Sequence, residues 1–213
     1  MNDQPGAFAQ WMPLAAANLH RVPEEIPDEQ AVFTEPLAAA LQILEQVSIS
    51  PSDQVVLVGA GKLGLLVAQV LRLTRAALTV VTRREKQQRL LERWGIAHAP
   101  AEDIPARATD VVVDCTGAPE GFQAALGWVR PQGCIVLKST YANIAPVDLT
   151  RVVVDEIRIV GSRCGPFRPA LRLMQQGLID TASLVEAEYR LQDGVRAFEH
   201  ATQPGALKVL LRP

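Results

Sequence analysis

A short run of apolar residues passes directly into a glycine-rich turn. Residues 55–58 are Val, Val, Leu and Val, without the polar alternation of a half-exposed strand. Apolar residues at helical spacing follow the glycines over residues 65–71. A strand that is apolar on both faces is typical of a parallel sheet covered by helices on both sides. The pattern therefore predicts a buried strand that turns sharply into a helix.

The alternation of apolar strands and amphipathic helices continues along the chain. Strands are predicted at residues 55–58, 78–81, 97–99, 111–114, 134–137 and 157–160, and further helices at 36–47, 85–94 and 120–129. This pattern predicts the α/β class, with a doubly wound six-stranded parallel sheet in the order 3-2-1-4-5-6. The tail is predicted to add helices at 170–176 and 193–201 and strands at 185–190 and 207–211.

Two apolar stretches outside this alternation are also expected to lie in sheets. Residues 6–14 look extended, with apolar side chains on both faces. Residues 152–154 are three valines, and with residues 157–160 they predict two strands at one edge of the sheet. An uncovered edge of that kind favours pairing with a second copy of the chain.

The glycine-rich turn has the spacing Gly-x-Gly-x-x-Gly. The first glycine permits a tight turn, the second lets the backbone approach a pyrophosphate, and the third lets the helix pack close to the sheet. The unpaired N–H groups at the start of the helix then face the phosphates. Because the motif lies between a predicted strand and a predicted helix, it indicates a dinucleotide-binding site. The candidate residues are Gly59, Ala60, Gly61, Lys62, Leu63 and Gly64.

The end of the second predicted strand indicates which dinucleotide is bound. In the NAD-binding version of this fold, an acidic residue at that position accepts hydrogen bonds from the adenosine ribose. Here the position is Thr82, and Arg83 and Arg84 follow it. A carboxylate would repel a ribose 2′-phosphate, whereas guanidinium groups suit its oxygens. The sequence therefore favours NADP, with NAD still possible; the other interpretation is that both arginines are solvated charges at a helix start.

Composition excludes several classes of partner. The chain has 213 residues, 48% of them hydrophobic, with a formal net charge of -2 and a pI near 5.9. No basic surface for nucleic acid or acidic membrane is expected. Neither a membrane-spanning run nor a signal peptide is recognisable, so a cytoplasmic location is expected. Cys115, Cys134 and Cys164 are widely spaced, which favours free buried thiols over disulfides or a structural zinc site.

Several segments together resemble one family, the zinc-containing alcohol and polyol dehydrogenases of the medium-chain dehydrogenase/reductase superfamily. Among them are Asp114-Cys115-Thr116-Gly117 and Arg130-Pro131-Gln132-Gly133. The others are the glycine turn and residues 6–9, 18–23, 34–38, 161–167 and 197–201. The resemblance covers nearly all of the chain, and it is the combination that is specific.

The resemblance implies further site residues. Thr116, Gly117, Leu137, Ser162 and Arg163 match positions near the nicotinamide, and Lys208 matches a basic position near the pyrophosphate. Each could equally be an ordinary loop residue or, for Lys208, a solvated charge on a strand. Glu35 matches an acidic ligand of the catalytic zinc, whose cysteine and histidine ligands have no counterpart in this sequence. The alternative for Glu35 is an acid placed favourably at a helix start.

The resemblance also implies the domain organisation and the activity. Residues 1–35 look like the end of a GroES-like catalytic domain, residues 36–188 form the NAD(P)-binding Rossmann domain, and residues 189–213 return toward the catalytic side. Full-length relatives transfer hydride between an alcohol, polyol or carbonyl substrate and the nicotinamide with the help of zinc, and they commonly form homodimers. This chain carries the cofactor-binding half. A homodimer is expected, zinc is not expected to be bound by this chain, and catalysis by the chain itself is left open.

Two other functions compete with this interpretation. A truncated homologue could serve as a dinucleotide-binding module without redox chemistry. A methyltransferase could use a similar glycine turn for an adenosyl cofactor, but such enzymes usually carry an acid where Thr82 stands. The dehydrogenase interpretation is therefore preferred.

Overall fold

A computed structural model describes residues 6–141 and 147–213. Its main feature is a six-stranded parallel sheet in the order β3-β2-β1-β4-β5-β6. Its strands are β1 Gln54–Val58, β2 Ala77–Val81, β3 Ala97–Ala99, β4 Thr109–Asp114, β5 Val129–Leu137 and β6 Arg158–Gly161. The predicted strand order and fold class are confirmed.

Helices connect and cover these strands. They are α1 Asp28–Ala31, α2 Thr34–Gln46, α3 Lys62–Arg72, α4 Glu85–Arg93, α5 Pro119–Trp128, α6 Leu149–Val154, α7 Phe167–Gln175 and α8 Gly194–Ala201. The bounds of α2, α4, α5 and α7 agree with the sequence-based ranges to within a few residues. Short 3-10 turns lie at Ala16–Asn18, Ala101–Asp103, Ala182–Leu184 and Leu191–Asp193.

The central strand shows why an unbroken apolar run was needed. Val55 and Leu57 point into one hydrophobic core, which also includes residues of α2, α3 and α7. Val56 and Val58 point into a second core on the opposite face, with residues of α5. Successive side chains of a strand face opposite sides of the sheet, so a strand between two helical layers has no face available for polar residues.

The prediction of a strand at residues 152–154 was wrong. The three valines form the end of α6, and both Val153 and Val154 are 74% exposed. The side chain of Asp148 caps the helix by accepting a hydrogen bond from the Arg151 backbone N–H at 3.2 Å. At the C-terminal end of α6, the charged hydrogen bonds of Asp155 further favour the helix. These local contacts outweigh the preference of β-branched residues for a strand.

Asp155 links α6 to the loop before β4. It accepts a bidentate pair of hydrogen bonds from Arg107, both at 2.8 Å, and a third from Arg151 Nε at 3.3 Å. These guanidinium groups, Arg107 first, hold the pKa of the Asp155 carboxyl below its usual range. The pairing fixes the turn between α6 and β6 at the edge of the sheet.

The expectation of sheet structure at residues 6–14 was also wrong. The segment forms no strand, and its apolar side chains are exposed; Trp11 is 91% exposed. Phe8 packs edge-on against Phe198 of α8, with ring centroids 5.2 Å apart.

Over the described ranges, none of the helices combines the length and apolar character required to cross a bilayer.

The C-terminal part forms a small separate sheet. Strands β7 Val185–Arg190 and β8 Lys208–Arg212 pair in parallel, and α8 connects them. The expected domain limit between residues 188 and 189 falls inside β7. The turn after α8, at Gly205 and Ala206, returns the chain to the carboxyl edge of the large sheet, where it helps to line the cleft described below.

Candidate functional site

A cleft at the sheet edge opens where the order of connections reverses. β1 and β4 are neighbours in the sheet, yet their following helices, α3 and α5, cover opposite faces. Such a switch point leaves a crevice outside the carboxyl ends of the strands. Here it is a cleft of about 610 Å³ lined by Val58, Gly59, Ala60, Gly61, Lys62, Val81, Thr82, Arg83, Arg84, Gln87, Cys115, Thr116, Gly205 and Ala206.

The three glycines of the turn have different surroundings. Gly59 has φ +99°, and a Cβ there would lie 2.7 Å from the carbonyl carbon of Cys115. A Cβ on Gly64 would lie 1.8 Å from the carbonyl oxygen of Gly59, so α3 can approach the strand end only with glycine at this position. A Cβ on Gly61 would have no protein atom within 4 Å. The fold requires glycine at positions 59 and 64, whereas glycine at position 61 keeps the cleft open.

The start of α3 faces this open space. Gly61 is the N-cap, without a side-chain hydrogen bond, and its carbonyl accepts the Leu65 N–H at 2.9 Å. The N–H groups of the first helical residues precede any carbonyl partner within the helix. Together with the positive end of the helix dipole, they form a site suited to an anion such as a phosphate.

The three candidate residues for the adenosine ribose, Thr82, Arg83 and Arg84, make different contacts. Thr82 is 8% exposed, and its Oγ1 accepts the Arg84 N–H at 3.3 Å. Arg83 forms an exposed ion pair with Glu102, with Nη2 and Oε2 3.0 Å apart. Arg84 lies against Gly205, because a Cβ there would be 2.8 Å from Arg84 Nη1. All three candidates line the cleft. Within residues 6–141 and 147–213, Arg83 is paired with an acid and Arg84 is not.

Thr116 and Gly117 are held at the end of β4 by a buried acid. Asp114 is fully buried and accepts hydrogen bonds from the Thr116 backbone N–H at 2.9 Å and from the hydroxyl of Tyr141. Burial and this hydrogen bond raise the pKa of the Tyr141 hydroxyl. The Gly117 N–H donates to Ser139 Oγ at 2.8 Å. The next residue before Thr116, Cys115, also lines the cleft, and burial raises the pKa of its thiol, as expected for an unreactive cysteine.

Leu137, Ser162 and Arg163 follow the next two strands along the same edge. Leu137 pairs with Asp114 of β4 and Gly161 of β6, and its carbonyl accepts the Ser162 N–H at 2.9 Å. These residues lie beside the cleft and are not among those that line it in the described part of the chain.

Sequence reasoning missed Lys138, which organises this end of the site. Its ammonium donates to the carbonyl oxygens of Ala39 at 2.6 Å and Arg163 at 3.0 Å, and to Ser162 Oγ at 3.3 Å. Burial lowers the pKa of Lys138. A lysine directly after the apolar residues of β5 was the signal available in the sequence. Through these hydrogen bonds, Lys138 links α2 to the loop after β6.

Lys208 and Glu35 lie in a neighbouring basic region. Burial lowers the pKa of Lys208, and the Glu35 carboxylate opposes that shift. Lys208 Nζ is 5.6 Å from the centre of the Phe33 ring. Lys208 lines, with Lys62, a smaller cavity of about 230 Å³ next to α8. Lys62 therefore lines both this cavity and the main cleft. Among the described residues, Lys208 lines only the smaller of the two.

The surroundings of Glu35 do not fit a catalytic zinc site. The charged groups that interact with it are the ammonium groups of Lys138 and Lys208. Among residues 6–141 and 147–213, no three histidine, cysteine or acidic side chains are grouped as metal ligands. A catalytic zinc needs about three protein ligands. One carboxylate among cations does not provide them.

The strand order, the switch-point cleft and the glycine turn define a Rossmann-type α/β domain. The family model for zinc-binding dehydrogenases matches residues 63–176, just over half of the chain. The chain belongs to the zinc-binding dehydrogenase family. The resemblance to zinc-containing alcohol and polyol dehydrogenases is thereby confirmed.

One curated relative supports the family assignment, and two solved structures share the fold. Sorbitol dehydrogenase of Halalkalibacterium halodurans is 30% identical over 230 residues, which cover 100% of this chain and 67% of the relative. A Sinorhizobium meliloti 1021 structure, named as a zinc-binding dehydrogenase bound to NADP, matches with a TM-score of 0.82 at 24% identity over 90% of this chain and 61% of that chain. A short chain alcohol dehydrogenase of Escherichia coli CFT073, complexed with NADH, matches with a TM-score of 0.83 at 23% identity over 94% of this chain and 64% of that chain. The chain thus spans about two thirds of the length of these relatives.

Proposed function

We propose that this chain binds a nicotinamide dinucleotide, NADP in preference to NAD, and supplies the cofactor-binding half of an alcohol or polyol dehydrogenase. The observation that carries the proposal is the open space at Gly61, directly in front of the α3 N-terminus. A pyrophosphate fits there because backbone N–H groups can reach its oxygens without a side chain in between. The substrate class follows from relatives such as sorbitol dehydrogenase.

The candidate residues divide along the proposed cofactor. Residues 59–64 hold the pyrophosphate through backbone N–H groups, with Lys208 as a nearby cation. Thr82, Arg83 and Arg84 receive the adenosine ribose and its 2′-phosphate. Thr116 and Gly117, with Leu137, Ser162 and Arg163, lie toward the nicotinamide. These assignments are supported by the carboxyl edge shared by β2, β1, β4, β5 and β6, which carries all of these residues except Lys208 of β8.

When bound, the cofactor supplies hydride chemistry at the nicotinamide ring. The residues of this chain orient it. Asp114 fixes the turn at Thr116, and Lys138 fixes the Ser162–Arg163 loop beside it. The contacts of Asp114 and Lys138 hold backbone N–H and C=O groups in place at the sheet edge where the nicotinamide ring would lie. Positioning groups before the reaction lowers its entropic cost. Because the donor set around Glu35 does not fit zinc, no step is assigned to a metal held by this chain.

Cofactor preference is testable at Thr82. We expect Thr82→Asp to weaken NADPH binding by about tenfold or more and to strengthen NADH binding, because a carboxylate repels the 2′-phosphate and accepts ribose hydroxyls. Thr82→Ser is the matched control, since it keeps the hydroxyl that accepts the Arg84 N–H. Fluorescence titration of both reduced nucleotides measures the change. Equal effects of Thr82→Asp on the two nucleotides would contradict the proposed NADP assignment.

A non-catalytic dinucleotide-binding module is the second candidate function, favoured by the poor fit of Glu35 to zinc. The two are distinguished by assaying NADP-dependent oxidation of sorbitol and other polyols together with metal content. Substrate-dependent turnover supports the dehydrogenase. Nucleotide binding with neither substrate turnover nor stoichiometric zinc supports the non-catalytic binding module.

We further propose a homodimer formed along β6, the strand at the edge of the sheet. Ile159 on β6 and the neighbouring Val153 and Val154 are exposed apolar residues. Light scattering after gel filtration should give a mass of twice the 23.1 kDa chain, and Ile159→Lys should reduce it to one chain. A monomeric wild-type chain would contradict this arrangement.

The division at residues 35 and 188 and a cytoplasmic location remain part of the proposal. The three cysteines are free, which suits a reducing compartment. Cys134 is buried and Cys115 is half-buried, but Cys164 is exposed, so the expectation of a buried thiol was wrong for Cys164.

A further inference from the structure

We propose that Glu186 is a positioning residue for nucleotide binding, because it holds residues 203–207 against the start of α4. Gly205 and Ala206 belong to this segment and line the cleft directly. Glu186 is not among the described residues that line the cleft, so it acts through the segment. This inference rests on the proposed function, since it concerns how firmly the cleft retains a dinucleotide.

Glu186 lies at an irregularity in the small C-terminal sheet. Val185 of β7 is opposite Lys208 of β8. Ala187, two residues further along β7, is opposite Val209, which is only one residue further along β8. Glu186 is the extra residue of this bulge, and a bulge redirects the side chain of its extra residue. Here the side chain is only 22% exposed, with its carboxylate directed at α4 and at the turn before β8.

Three groups from different parts of the chain meet at this carboxylate. Lys86 Nζ, in the first turn of α4, lies 2.8 Å from Oε1, and His200 Nε2 of α8 lies 3.8 Å from the same oxygen. The other oxygen accepts the backbone N–H of Leu207. Burial opposes ionisation of Glu186, but these partners outweigh it and hold the pKa of the carboxyl below its usual range. The carboxylate is therefore charged at neutral pH and links α4, α8 and the segment.

A second contact fastens the other end of the segment to α3. Lys62, the first residue of α3, donates from Nζ to the carbonyl oxygen of Ala201 at 2.9 Å. Ala201 is the last residue of α8, where carbonyl groups lack partners within the helix and the helix dipole favours a cation. Residues 202–206 thus run between a contact to α3 and a contact to α4, and Glu186 supplies the contact to α4.

The charge of Glu186 makes this role distinguishable from a simple electrostatic one. Glu186 lines a cavity of about 430 Å³ that shares Gly205 and Ala206 with the cleft. A carboxylate so near an anionic ligand repels it, so on charge alone its removal would tighten nucleotide binding. A positioning role predicts the opposite sign, because a loosened segment must be ordered again when the nucleotide binds.

Titration calorimetry and amide hydrogen exchange test the proposal. We expect Glu186→Gln to weaken NADPH and NADH binding alike, by about fivefold, and to speed exchange at residues 205–207 of the nucleotide-free chain by about fivefold or more. Lys86→Met should have a similar effect. The double variant should bind no more weakly than either single variant, since both substitutions remove the same ion pair.

Arg89→Met is the matched control on the same helix. It removes the exposed ion pair of Arg89 with Glu85, which does not reach the C-terminal sheet. Affinity and exchange should therefore change by less than about 1.5-fold. Lys86 is half-exposed, so Lys86→Met keeps the test available if Glu186→Gln does not fold.

The outcomes separate this inference from the proposed function. Tighter nucleotide binding by Glu186→Gln, unchanged exchange at residues 205–207, or fully additive losses in the double variant would each overturn the positioning role. If the wild-type chain binds both nucleotides and Glu186→Gln binds them equally well, only the positioning role fails. If the wild-type chain binds neither nucleotide, both proposals fail. Melting curves of each variant show whether a lost affinity reflects lost folding.

Discussion

Alanine at position 64 is expected to lower the free energy of unfolding by at least about 3 kcal/mol. The added methyl group would lie 1.8 Å from the Gly59 carbonyl oxygen and 2.9 Å from its carbon. Both neighbours are backbone atoms of the turn after β1, so α3 must move away from the sheet. Because Leu65, Leu66 and Val67 are buried in the core, that movement disturbs their packing as well. Urea unfolding followed by circular dichroism measures the loss.

The chain offers a matched control for that substitution. Gly127 lies within α5, and a Cβ there has no protein atom within 4 Å. Gly127→Ala should therefore leave stability unchanged or raise it by about 0.5–1 kcal/mol, as alanine favours helix over glycine. A Gly64→Ala variant as stable as Gly127→Ala would contradict the packing described for α3.

Gly61→Ala should have the opposite profile, folding normally but losing nucleotide affinity. The Gly61 backbone is in an extended region open to any residue, and its Cβ position is free of protein atoms, so stability should change by no more than about 1 kcal/mol. The methyl group would occupy the space proposed for the pyrophosphate. We expect NADPH and NADH affinities to fall together by about tenfold or more, because both share that group. Unchanged affinities would place the dinucleotide elsewhere.

The central part of the fold could be predicted because two signals coincide there. Residues 55–58 are apolar at every position, which only a strand with a helical layer on each face requires, and the glycine spacing marks the turn that follows. The same reasoning failed at residues 152–154. Their β-branched side chains favour a strand, but the cap from Asp148 and the ion pair of Arg151 with Asp155 determine a helix.

Parts of the candidate site were beyond sequence reasoning because they depend on distant segments. Gly205 meets Arg84 only after β7 and β8 have paired and returned the chain to the sheet edge. The difference between Arg83 and Arg84 depends on Glu102, which lies just after β3. Gln87 looks like an ordinary polar helix residue until its burial is known. Lys138 left a weaker signal, a charge directly after a buried strand.

Calorimetric titration of the purified chain with NADPH tests the central claim most directly. The account requires saturable binding of one nucleotide per chain, with a dissociation constant below about 100 μM and tighter than that for NADH. The absence of saturable binding of either nucleotide at about 1 mM would contradict it.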